Sequence, residues 1–207
     1  MLEFSLQAFL TLLVVVDPIG LVPIFIALAG RRPPLEQRYL ARKAVIVAGV
    51  VMLGFAVLGR PLLEYLGISL DALRIAGGIL LFKIGFDMIF AQLERETPEE
   101  HEEAQTRPDF SVFPLAIPLI AGPGTLASVL ILAGEAQKTP YGFGLVLGMS
   151  AVVLVLTYLF LRVASPLSRL LRRTGINVIT RVLGILLAAL AVQYVANGVR
   201  AFITATI

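Results

Sequence analysis

The sequence has no cysteine and no tryptophan, and its single histidine is His101. The lack of cysteine excludes disulfides and thiol chemistry, and one histidine cannot form a histidine metal site. Charged residues are also scarce, at 15% of 207 residues, whereas hydrophobic residues make up 58%. This balance is too apolar for an ordinary soluble domain and predicts an all-α integral membrane protein.

Long apolar segments dominate what is present. A helix needs about 20 mainly apolar residues to cross the hydrocarbon of a bilayer. Six segments meet this requirement: 6–29, 41–59, 73–90, 110–133, 142–163 and 176–203. The first has no basic start and contains Asp17-Pro18 where a signal peptide would be uninterrupted, so we expect it to stay in the mature protein.

The positive charges are distributed unequally between alternate loops. Twelve Lys and Arg residues follow the first, third and fifth spans: Arg31, Arg32, Arg38, Arg42, Lys43, Arg95, Arg107, Arg162, Arg169, Arg172, Arg173 and Arg181. The other loops and the termini hold four: Arg60, Arg74, Lys138 and Arg200. Because basic loops stay in the cytoplasm, the sequence predicts a multi-pass protein of a prokaryotic inner (plasma) membrane with both termini outside.

An acidic segment, 92–109, divides the chain into nearly equal parts, 1–91 and 110–207. The third and sixth spans resemble each other, since each has an Arg followed three residues later by Gly, at Arg74 and at Arg181. Three spans in each part reverse the direction of the chain. The sequence therefore predicts six transmembrane helices arranged as two inverted three-helix repeats joined by a cytoplasmic linker, an arrangement that recurs in secondary transporters.

Proline and glycine interrupt the first and fourth spans near their centres, at Asp17-Pro18-Ile19-Gly20 and Gly122-Pro123-Gly124-Thr125. Hydrocarbon offers no water to repair the lost backbone hydrogen bonds, so such breaks must face protein or a wet cavity. We expect both helices to be broken at mid-membrane. The start of each second half would then present backbone N–H groups to an anion. The alternative is two kinked helices whose freed carbonyls bond to neighbours.

Asp17 is the only acidic residue deep within a span, where a charge is costly. It would cap a half-helix, bind a substrate ammonium group or carry a coupling proton, and these interpretations stay open. Thr125 and Ser128 would offer hydroxyls to the same cavity or bond neighbouring helices. The candidate substrate-binding residues are Asp17, Pro18, Ile19, Gly20, Gly122, Pro123, Gly124, Thr125 and Ser128.

Four further polar residues are candidates for the transport pathway. Gln193 and Asn197 share a face of the sixth span, where they would line a pathway or bond another helix. Arg74 and Arg181 start related spans from opposite sides, where they would serve as gates or as interfacial anchors.

The segments Asp17–Phe25 (DPIGLVPIF) and Pro118–Thr125 (PLIAGPGT) resemble the MarC family, which includes the SnatA-like neutral amino acid transporters. The likeness covers nearly all six spans and not the acidic linker. The resemblance implies a bacterial or archaeal inner-membrane protein. For the SnatA-like members it implies transport of small neutral amino acids such as glycine, alanine or threonine, by uptake or by export.

These observations predict a secondary transporter of small neutral amino acids that works by alternating access, with a proton or sodium ion as the coupling ion. The alternative is a channel, or an exporter of another small solute or drug. We expect no enzymatic activity, because Asp17 has no second carboxylate at its depth and no nucleophile has a histidine base in the membrane. We also expect no cofactor and no nucleic-acid partner.

Overall fold

A computed structural model describes residues 1–29, 32–90, 109–136 and 140–206, and every regular element in these ranges is helical. The predicted linker 92–109, apart from Asp109, lies outside the described residues. The helical segments are α1 (Leu2–Val16), α2 (Leu21–Ala29), α3 (Pro34–Tyr65), α4 (Leu70–Ile89), α5 (Ser111–Ile120), α6 (Pro123–Glu135), α7 (Gly142–Arg162) and α8 (Ala164–Thr206).

The first and fourth predicted spans are each two helices separated by a short break. Helices α1 and α2 meet at 43° across residues 17–20, and α5 and α6 meet at 56° across residues 121–122. Within α5, Pro114 and Pro118 follow cis peptide bonds, and the residues before them are extended rather than helical. The chain therefore changes direction where proline and glycine interrupt the apolar segments.

Three helices of the described chain are long and apolar enough to cross a membrane: Pro34–Tyr65, Gly142–Arg162 and the Thr174–Thr204 part of α8. The number rises to five if each bent pair counts as one span. The remaining predicted span, the third, corresponds to α4, which has 20 residues but is too charged to be counted with these helices. It carries four charged residues: Asp71, Arg74, Lys83 and Asp87. All of these helices fit an all-α membrane protein.

Helices α4 and α8 lie against each other with their backbones in close contact. A β-carbon at Gly85 would lie 2.8 Å from the backbone nitrogen of Ala188, and one at Gly78 would lie 2.8 Å from the carbonyl oxygen of Ala191. A β-carbon at Gly198 would lie 2.8 Å from the carbonyl oxygen of Asp71. As residue numbers rise along α4, the numbers of the contacting α8 residues fall, so the two helices are antiparallel.

Helix α8 is not continuous along its whole length. The backbone at Arg172 is non-helical, with φ 53° and ψ 173°, and it separates a short first segment from the long apolar part. The end of α7 and the short segment carry Arg162, Arg169 and Arg172.

The main core lies between the first broken span and helices α3, α5 and α7. Its fully buried members include Phe25, Met52, Phe110 and Leu115, with small alanines of α3 between them. Asp109 begins α5 by accepting hydrogen bonds from the backbone nitrogen and the hydroxyl of Ser111. It also pairs with Lys43 of α3, which lowers the pKa of the Asp109 carboxyl to about 2. This ion pair attaches the start of the second broken span to α3.

Candidate functional site

The break between α1 and α2 is organised by Asp17. Its backbone is left-handed, with φ 48°, and its nitrogen donates the last bond of α1 to the carbonyl of Leu13 at 3.0 Å. Its carboxylate oxygen Oδ1 accepts from the nitrogen of Gly20 at 3.0 Å, and its carbonyl accepts from Leu21 at 3.1 Å. Asp17 thus ends one helix and caps the next, with Pro18 in the first position after the cap.

Glycine is required at position 20 by the position of this carboxylate. A β-carbon on Gly20 would lie 2.0 Å from Asp17 Oδ2 and 2.7 Å from its Cγ. Asp17 is 0% exposed, Pro18 and Gly20 are buried, and Ile19 is half-buried. The first break is therefore a compact turn around a buried acidic group.

The break between α5 and α6 is built differently. Gly122 precedes the first turn of α6 with Pro123 next to it, and no side chain among the described residues caps this end of the helix. The first helical bond runs from the nitrogen of Leu126 to the carbonyl of Gly122, at 2.9 Å. The N–H groups of Gly124 and Thr125 come before that bond, so the positive end of the α6 dipole is uncapped.

The second break has two hydroxyls on its inner side. Thr125 donates from Oγ1 to the carbonyl of Ile120 at 2.9 Å, across the break. Ser128 follows one turn later, is 0% exposed, and its Oγ has no hydrogen-bond partner among the described residues. Since buried hydroxyls normally have partners, Ser128 is free to bind a polar group that enters this region.

The structure brings the second break against the first broken span. A β-carbon at Gly124 would lie 3.6 Å from Val15 Cγ1, two residues before Asp17, and 2.6 Å from Ile84 Cδ1 of α4. Gly122, Gly124 and Thr125 are buried, whereas Pro123 is exposed. The start of α6 thus lies against α1 two residues before the first break, and most of the nine predicted binding residues are closed off from solvent.

One predicted feature differs between the breaks. The sequence suggests two half-helices that both present free N–H groups, but the Gly20 N–H at the first break is used by Asp17. The first break therefore offers a carboxylate, and the second offers an uncapped helix start. The chemical asymmetry arises because Asp17 stands where the second break has Gly122.

The other candidates lie away from the breaks. Gln193 and Asn197 are exposed on α8 and bond each other, from Nε2 to Oδ1 at 2.8 Å. Arg181 is exposed near the other end of the same helix. On α8, Tyr194 turns inward instead, is 2% exposed, and packs with Val15 and Leu81 beside the second break.

Arg74 joins two helices, α4 and α6, near one end of the molecule. Its guanidinium group bonds Asp71 in the same helix at 2.5 Å and Glu135 at the end of α6 at 3.0 Å. The Arg74 and Glu135 side chains are 12% and 19% exposed. Sequence reasoning identified Arg74 but missed Glu135, since no local pattern links residues 61 positions apart.

Nearly the whole chain, both broken spans included, is similar to proteins of one family. The family described as "MarC family integral membrane protein" matches residues 2–203. The chain belongs to the MarC family. No solved structure matches the chain.

Several curated relatives of this MarC protein are similar along their whole length. The UPF0056 membrane protein YvbG of Bacillus subtilis is 36% identical over 203 residues, covering 97% of this chain and 96% of the relative. YhcE of Escherichia coli is 34% identical, covering 93% and 90%. A UPF0056 membrane protein of Archaeoglobus fulgidus is 36% identical, covering 95% and 92%. This MarC protein is an integral membrane protein, and its relatives are bacterial and archaeal.

Proposed function

We propose that this MarC protein is a secondary transporter of small neutral amino acids that works by alternating access. The observation that carries the proposal is that the uncapped start of α6 lies against α1 two residues before the buried carboxylate of the first break. Broken helices whose ends meet at the substrate are a recurring design of secondary transporters. The SnatA-like resemblance of the same two segments supports the substrate class.

The two breaks have opposite electrostatic character, which suits a zwitterion. An α-carboxylate accepts hydrogen bonds from the N–H groups of Gly124 and Thr125 and gains from the positive end of α6. An α-ammonium group pairs with Asp17. Ser128 is available for a further hydrogen bond to the substrate, such as one to the hydroxyl of serine or threonine.

The close packing around the breaks limits the size of the substrate. Gly124 lies against Leu81 and Ile84, and Ile120 and Val16 beside the breaks are fully buried. Apolar walls disfavour a charged side chain because they offer it no partner. Glycine, alanine, serine and threonine therefore fit better than a bulky cationic drug.

The antiparallel pairing of α4 with α8 supports an inverted repeat. These helices are the third element of each predicted repeat, and antiparallel packing of equivalent helices is what a two-fold axis in the membrane plane produces. Exchange of conformation between two such halves opens a central site to alternate sides. The closed breaks would then represent an occluded state, which favours a carrier over an open channel. The distribution of arginine between the loops supports an orientation with both termini outside the plasma membrane.

The first test of this proposal is competition in a counterflow assay with the protein in liposomes. Alanine should compete well for labelled alanine, whereas its amide and propionate should compete at least about tenfold less well. Loss of one charged hydrogen-bonding group removes about 1.5–3 kcal/mol, and 1.4 kcal/mol corresponds to a factor of ten. Equal competition by either analogue would contradict the two-ended site, and flux without counterflow would indicate a channel.

Replacing Asp17 separates its structural role from its charge. Asp17→Asn keeps an oxygen that accepts from the Gly20 N–H, so we expect folding to change little, while transport falls or loses its pH dependence. Asp17→Ala also removes the cap, which costs about 0.5–2 kcal/mol. Flux between pH 5 and 8 and thermal stability of both variants would be measured. Unchanged pH-dependent flux in Asp17→Asn would remove Asp17 from ion coupling and from ammonium binding.

A further inference from the structure

Two amide side chains lie exposed on the most apolar part of α8. The segment Thr174–Thr204 is long and apolar enough to cross a membrane, and Gln193 lies near its middle. Gln193 donates to Asn197, which lies one turn further along. Both side chains face outward from the single chain, where hydrocarbon would surround them.

The single bond between these amides leaves most of their hydrogen-bonding capacity unused. Each amide has two donors and a carbonyl acceptor. The remaining groups have no partner in the described part of the chain. Lipid tails offer neither donors nor acceptors, so exposed amides at this depth are unfavourable unless another polar group meets them.

The residues around Gln193 form a seam that a second helix can follow. Exposed residues recur at spacings of four and three along α8, which is the 3.5-residue repeat of helices that pack side by side. The seam consists of Val182, Leu186, Ala189, Gln193, Ala196 and Arg200. Small alanines on both sides of Gln193 allow close approach of a second backbone.

We propose that this seam of α8 is the contact between two copies of the chain, related by a two-fold axis along the membrane normal. In that arrangement the two α8 helices run parallel, and both copies place Gln193 at the same depth. Each amide then supplies a donor and an acceptor to its counterpart, as a self-complementary two-fold contact requires. Arg200 lies near the end of the helix, where both guanidinium groups can reach water.

Disulfide crosslinking tests the geometry directly, because the natural chain has no cysteine and therefore no background. Ala196→Cys places a thiol on the seam, and Val50→Cys places one on the exposed face of α3, where Val50 is 64% exposed. In purified protein in liposomes, mild oxidation should crosslink Ala196→Cys to dimers at least about tenfold faster than Val50→Cys. A disulfide requires α-carbons about 4.4–6.8 Å apart, so copies that meet only by random collision should crosslink more slowly than copies that share a stable contact. Equal rates at the two positions would overturn the proposal.

A second variant tests the amides themselves. Gln193→Leu with Asn197→Leu removes the polar groups while keeping an apolar helix, so the single chain should fold as before. Association is measured as energy transfer between labelled copies while the protein is diluted with lipid. The double Leu variant should lose energy transfer at a protein-to-lipid ratio at least about tenfold higher than the natural chain does. Val50→Leu is the control and should leave the dilution curve unchanged. Unchanged association of the Leu variant would overturn the role of Gln193 and Asn197.

Discussion

Gly20→Ala is expected to reduce transport at least tenfold and to lower thermal stability, because its β-carbon would lie 2.0 Å from Asp17 Oδ2. The Asp17 side chain can avoid this clash only by rotating. Rotation breaks its bond with the Gly20 N–H and leaves a buried carboxylate displaced from its partner. Loss of the cap alone costs about 0.5–2 kcal/mol, and misplacement of a binding group adds to the effect on transport.

The control for this variant is Gly54→Ala in α3, where a β-carbon would have no atom of the described residues within 4 Å. Alanine is favoured over glycine inside a helix by up to about 1 kcal/mol, so Gly54→Ala should be neutral or slightly stabilising. Counterflow and thermal unfolding would be measured for both. In an Asp17→Ala background, Gly20→Ala should do little further damage, because the carboxylate that it meets is absent. Additive losses in the double variant would contradict this explanation.

The breaks could be located from sequence because their causes are local. Proline removes a backbone donor and glycine weakens a helix, so Pro18 and Pro123 mark discontinuities in any apolar segment. The cap formed by Asp17 follows from the same reasoning, since Asp before Pro is a common helix start. The class of protein follows from composition alone. These features depend on neighbours in the chain and need no knowledge of tertiary packing.

Features that depend on packing could not be predicted in the same way. Gln193 and Asn197 share a helix face with each other, but the sequence does not say whether that face turns inward. Tyr194, one residue away, turns inward instead. The pairing of Arg74 with Glu135 depends on how α4 packs against α6. The charged residues of α4 keep it from being counted with the helices that are apolar enough to cross a membrane. Each outcome is decided by contacts between helices that are distant in sequence.

Glu135→Gln is expected to open the end of the molecule at which Arg74 lies. The Arg74–Glu135 pair is an ionic link between α4 and the end of α6, the half-helix that begins at the second break. In the alternating-access cycle that we propose, this half-helix moves relative to α4, and the pair then acts as a latch on the predicted outer side. Removing one charge should shift the balance toward the open state without disrupting the helices themselves.

The expected size follows from the burial of the pair. The Arg74 and Glu135 side chains are 12% and 19% exposed. The free-energy cost of breaking the pair therefore lies between that for surface pairs, about 0.2–1 kcal/mol, and that for buried pairs, about 3–5 kcal/mol. A shift of about 1.4 kcal/mol corresponds to a factor of ten in the population of the open state. The neighbouring ion pair Arg60–Glu64 is the matched control, because it lies within α3 and its side chains are 55% and 63% exposed.

A cavity of about 770 Å³ beside this end of α6 supplies the reporter. It is lined by Ala133 of α6 together with Arg60 and Glu64, and Ala133 is 9% exposed. Ala133→Cys gives the chain a single thiol whose reaction with a membrane-impermeant maleimide measures access from outside. The reaction should be about tenfold faster when Glu135→Gln is added and unchanged when Glu64→Gln is added. Equal rates in all three proteins would show that Arg74 and Glu135 do not form a latch, and acceleration by Glu64→Gln alone would assign that role to the exposed pair instead.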